Sequence, residues 1–109
     1  MTIKEKHVAY WKMMRDEGKK MAGKISVDQV FAFEMAWLTI KHAAPDVESL
    51  RRDYKHWKSI SLQPESSDRE KQCAVTVCDA LHKLADNLKN PESFSFTRKK
   101  KEVQGTLFS

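Results

Sequence analysis

Apolar residues recur at intervals of three and four through four successive segments of the chain, and no stretch shows a convincing strand-like alternation. A period near 3.6 residues lets a segment bury one face only as a helix, so the pattern predicts an all-α fold. The first segment runs from about residue 3 to residue 21, with Ile3, His7, Tyr10, Trp11, Met14, Gly18 and Met21 on one stripe. Gly18 weakens it, and Gly23 is a natural stop. The second, residues 27–44, follows a Ser26-Val27-Asp28-Gln29 capping box and is apolar on nearly every side. A helix apolar all round is expected to be the central, most buried one. Pro45 ends it, and Pro45 and Asp46 supply a proline and an acid to the first turn of a third helix. That helix carries Val47, Leu50, Tyr54, Trp57 and Ile60 on a narrower stripe. A fourth opens on the capping box Ser67-Asp68-Arg69-Glu70 and stops at Asn90-Pro91. Cys73, Val75 and Thr76 widen its apolar face early, which marks that end as the better buried.

At 109 residues the chain has room for one core. The reading is therefore a compact four-helix domain over residues 1–91 and a C-terminal tail over 92–109, the helices forming an antiparallel bundle or an orthogonal variant. The tail has no helical stripe and contains the basic run Arg98, Lys99, Lys100 and Lys101; disorder is expected beyond Thr97, with Phe94 and Phe96 able to pin its start to the bundle. No apolar run approaches 18 residues and the N-terminus lacks signal-peptide character, so a cytoplasmic protein with no membrane partner is expected. Cys73 and Cys78, five apart, would point in different directions on a helix and read as two buried thiols.

The residues for chemistry are sparse. Histidines 7, 42, 56 and 82 fall one to a helix with no metal-ligand spacing, and three glycines cannot build a phosphate-cradling loop. His7, on an apolar stripe, reads as a satisfied core histidine. Glu34, the acid inside the most apolar helix, reads as exposed or paired with Lys41 or Arg52. No enzyme, metal or cofactor is expected.

The net charge of +5 is unevenly placed: residues 1–25 carry +4, 26–44 carry −1, 45–90 are neutral and 91–109 carry +2. Lys12, Arg15, Lys19 and Lys20 in the first helix and Arg98–Lys101 in the tail are the candidate nucleic-acid contacts. Arg51 to Lys58 is a second basic stretch, but its Tyr54 and Trp57, like Tyr10 and Trp11, fall on core stripes, so stacking on bases is not implied.

The ending remains. Gln104-Gly105-Thr106-Leu107-Phe108 resembles the short peptide by which bacterial replication and repair proteins bind the DNA sliding clamp. The resemblance covers five residues. It implies that Leu107 and Phe108 enter an apolar pocket, worth roughly 1.5–3 kcal/mol each when buried, while the Gln104 amide sets register. Gly105 stands where leucine is favoured and Thr106 where serine or aspartate is common, so the affinity implied is micromolar or weaker. The leading expectation is a non-enzymatic adaptor or regulator of bacterial or phage DNA replication and repair. A phage-type protein that binds a host protein through its bundle surface is the alternative, and a nonspecific nucleic-acid binder is a third. In either, Leu107 and Phe108 could instead pack back on the bundle.

Overall fold

Capping determines where each helix starts. Thr2 accepts a hydrogen bond from the Glu5 amide at 3.1 Å while Glu5 Oε1 accepts from the Thr2 amide at 2.8 Å, and helix α1 follows as Ile3–Lys20. The Thr-x-x-Glu pattern of this capping box is present in the sequence as Thr2-Ile3-Lys4-Glu5. Ser26 caps α2, Val27–His42; Asp46 caps α3, Val47–Leu62; and Ser67 with Glu70 forms the second full box ahead of α4, Asp68–Lys89. Pro45 thus precedes α3 rather than entering its first turn, and Asp46 takes the cap. A short 3-10 turn, Pro91–Ser93, follows. The computed structural model describes residues 2–21 and 23–93, which form an all-α four-helix domain. The tail beyond Ser93 lies outside the described residues.

The helices form two antiparallel hairpins, α1–α2 and α3–α4, joined by packing of α2 on α4. The hairpin ends are pinned by residues distant in sequence. Lys4 Nζ donates to the Ala43 carbonyl at the end of α2 (2.6 Å), and His7 Nε2 bonds Asn87 Oδ1 at the end of α4 (2.9 Å). At the opposite pole Arg69 bonds Asp28 (2.9 Å) and Gln72 Nε2 donates to Gln29 Oε1 (2.6 Å), so the starts of α2 and α4 are adjacent. Matching starts and matching ends mean that α2 and α4 run parallel. In a simple up-and-down bundle such a parallel pair sits on the diagonal, whereas here α2 packs directly on α4, so the arrangement is two hairpins side by side, with extents of 39 × 35 × 23 Å. The Ser26–Gln29 capping box expected from the sequence is only half formed: Ser26 accepts from the Gln29 amide, but the Gln29 side chain is committed to Gln72.

The core is Trp11 from α1, Ala36 and Ile40 from α2, Leu50 from α3 and Val77, Ala80, Leu81 and Leu84 from α4. Here the expectation about α2 is overturned. Helix α4 touches all three others and buries nine residues along its length, Cys73 through Asn87, whereas α2 buries three. Val75, expected inside, is 57% exposed. On α2, Val27 and Phe31 face outward at 61% and 47%. The surplus apolar surface of α2 is covered instead by basic side chains: the Arg69 guanidinium lies 4.3 Å from the Phe31 ring centroid, and Arg15 and Lys41 lie over Trp37. Gly18 also has a purpose. A Cβ there would meet the Phe33 ring at 3.0 Å, so its absence lets α2 approach α1. Gly23, at φ +95°, turns the chain between them in a conformation L side chains rarely adopt.

Candidate nucleic-acid interface

Each residue of a helix advances by about 100°, so Lys12, Arg15 and Lys19 fall within about 60° of one another on one flank of α1. Lys20 falls about 100° beyond Lys19 and faces elsewhere. Three of the four candidate cations of α1 are thus brought together and one is not. Across the seam stand Trp37 and Lys41 of α2, four residues apart and on the same side. The Arg15 guanidinium lies 4.2 Å from the Trp37 ring centroid and the Lys41 ammonium 4.8 Å. Since Lys19 meets Glu34 (3.7 Å) and Arg15 meets Trp37, the antiparallel register sets Lys12 opposite Lys41.

Two carboxylates temper this seam. Arg15 donates to Asp16 Oδ1 through Nε (3.1 Å) and Nη2 (2.8 Å), and that hydrogen bond holds the Asp16 carboxyl below its ordinary value. Glu34 pairs with Lys19, on a solvent-facing flank as expected, but with neither Lys41 nor Arg52. The seam therefore carries four cations against two acids, and two of the cations, Lys12 and Lys41, are in no ion pair among the described residues. Point charges of this kind suit phosphate oxygens and carry no sequence readout. Trp37 is no stacking platform, because its face is occupied by Arg15 and Lys41. Trp11 is 4% exposed and meets Tyr10 edge-on, centroids 5.0 Å apart, so neither offers a face to a base.

The remaining candidates resolve as follows. His7 is buried against Asn87, and burial pushes its pKa below the ordinary histidine value. His82 contacts Asp86 one turn on (3.2 Å). Cys73 and Cys78 are free and buried, and burial raises both thiol pKa values. Among the described residues no group of three or more His, Cys, Asp or Glu could hold a metal ion, and no helix is long and apolar enough to cross a membrane. Gln104, Leu107, Phe108 and Arg98–Lys101 lie outside the described residues, as do Phe94 and Phe96. Trp37 and Lys41 were missed in sequence because their partnership with α1 depends on the α1–α2 register. Their i, i+4 spacing was the one available local signal. No family model matches this chain, and neither a curated protein nor a solved structure matches it.

Proposed function

We propose that this protein is a non-enzymatic adaptor of bacterial or phage DNA replication and repair, tethered to the DNA sliding clamp by its C-terminal peptide. The observation that carries the reading is the Gln104-Gly105-Thr106-Leu107-Phe108 pentapeptide, placed after the basic run Arg98–Lys101. It is attached to the domain after the turn Pro91–Ser93, where Pro91 and Glu92 are exposed. Ten residues, 94–103, separate that turn from Gln104 and span at most about 35 Å when extended. Such a reach keeps the domain beside the clamp, where DNA is threaded and where a cationic seam meets phosphates. The seam of Lys12, Arg15, Lys19 and Lys41 supports the reading as a weak, sequence-independent DNA contact whose effective strength rises once the tail is bound.

Fluorescence anisotropy of the labelled full chain against purified bacterial clamp tests this. Micromolar binding is expected, with a loss of at least tenfold in Leu107→Ala/Phe108→Ala, since two buried apolar anchors are removed. Equal affinity of that variant and the wild type would sink the proposal.

A further inference from the structure

Between α3 and α4 the surface opens into a groove. Two hollows, about 360 Å³ and about 280 Å³, share Tyr54 and His82, whose ring centroids are 6.3 Å apart. Together they run from Val47 to Ser61 along α3, about 21 Å at 1.5 Å per residue. The floor is apolar: Leu50 and Leu81 are buried beneath it, with Tyr54 and Ala85 half-buried. The rims carry charge of different availability. On α4, Asp79 is engaged by Lys83 (3.4 Å) and Asp86 by His82 (3.2 Å), each one turn away. On α3, the side chains of Arg51, Lys55 and Lys58 are exposed and form no ion pair or hydrogen bond among the described residues. Arg51, Lys55, Lys58 and Lys89 outnumber Asp79 and Asp86 around this apolar floor, so its net charge is positive.

We propose that the α3–α4 groove is the docking site for an acidic amphipathic helix of a partner protein. Both walls are helices whose backbone groups are satisfied internally, so the groove offers no sheet edge, and its occupant must satisfy its own backbone. A helix does so, and 21 Å accommodates about four of its turns. Its apolar stripe covers Leu50, Tyr54, Leu81 and Ala85, and acidic flanks meet Arg51, Lys55 and Lys58. A basic occupant, such as the chain's own Arg98–Lys101 stretch, would set like charges together. The site is separate from the α1–α2 seam and from the tail, so its failure leaves the clamp reading standing, and the reverse.

The test is anisotropy of a labelled, end-blocked 16-residue peptide with Leu at i, i+3, i+4, i+7 and i+11 and Glu on both flanks, titrated with the full chain at 0.1 M salt. A control peptide carries Lys at every Glu. Binding in the micromolar range by the acidic peptide is expected, at least tenfold tighter than the control. A loss of at least tenfold is expected in Arg51→Glu/Lys55→Glu/Lys58→Glu, whose exposed sites leave the circular dichroism spectrum unchanged. Amide shifts should map to Tyr54, His82 and Ala85. Equal binding of the two peptides overturns the proposal, as does a loss produced by Lys12→Glu/Lys41→Glu instead. Tenfold tighter binding by a full chain with serine at Phe94, Phe96, Leu107 and Phe108 would identify the tail as the occupant and also overturn it. So would sedimentation showing a wild-type dimer that the α3 charge reversal dissociates.

Discussion

At the scale of single residues, Asn87 decides the state of His7. The Asn87 amide nitrogen donates to the carbonyls of Asn90 (3.2 Å) and Pro91 (3.3 Å), so its oxygen faces His7. Nε2 of His7 therefore carries the proton and donates it, which fixes the neutral tautomer. Burial is the largest influence on this ring and the nearby Lys83 charge adds to it, outweighing the Asn87 bond and lowering the pKa. The sign follows directly. The unfolded chain takes up a proton near pH 6.5 where the folded one does not, so the contribution is fully present above that value and is lost as pH falls towards the folded pKa. The urea midpoint of the wild type should drop between pH 7 and pH 5 more steeply than that of His7→Leu. One proton limits the difference in slope to about 1.4 kcal/mol per pH unit. Parallel profiles for the two proteins would show that His7 is not the group responsible. His7 was legible in the sequence as a core histidine because its stripe was clear. Asn87 was not, since its role depends on where α4 ends relative to α1, 80 residues away.

Among the elements, α2 and α4 exchange the roles their compositions suggest. Periodicity located all four helices, and Ser67 and Glu70 announced the start of α4 because a capping box is local chemistry. Which helix is central is not local. It depends on which faces find neighbours, and the surplus aromatic surface of α2 meets Arg15, Lys41 and Arg69 rather than a third neighbouring helix. Helix α4, with a polar stripe of Asp79, His82 and Asp86, looks less buried in sequence but is enclosed on its other sides. This reversal is measurable. Leu84, fully buried on α4, should cost about 2–5 kcal/mol when replaced by alanine. Phe31 is the larger side chain, yet 47% exposed, with the Arg69 guanidinium over its ring. Phe31→Ala should cost about 1 kcal/mol or less. Chemical denaturation of both variants checks the order, and a larger loss at Phe31 would return α2 to the centre.

For the whole molecule, the two hairpins divide the surface chemistry. Cations of α1 and α2 meet at one seam, those of α3 rim a separate groove, and the two are joined by the packing of α2 against α4. Lys12, Arg15 and Lys19 could be grouped from a helical wheel alone, but Lys41 joins them only through the hairpin's register, and the groove only through α3 packing on α4. If the seam touches DNA, its contribution must appear in the salt dependence rather than in sequence preference. Each phosphate neutralised steepens the dependence of log K on log salt by about 0.9 for duplex DNA. Lys12→Gln/Lys41→Gln removes the two cations that form no ion pair, so the slope for a random duplex should fall by up to about 1.8. Gln at Arg98, Lys99, Lys100 and Lys101 should reduce it by a separate amount, because those residues belong to the tail and not to the seam. A slope that responds only to the tail substitutions would confine DNA contact to the tether. In that case the seam's arrangement of Arg15 and Lys41 over Trp37 would be left with the structural task it already performs, covering the outer face of α2.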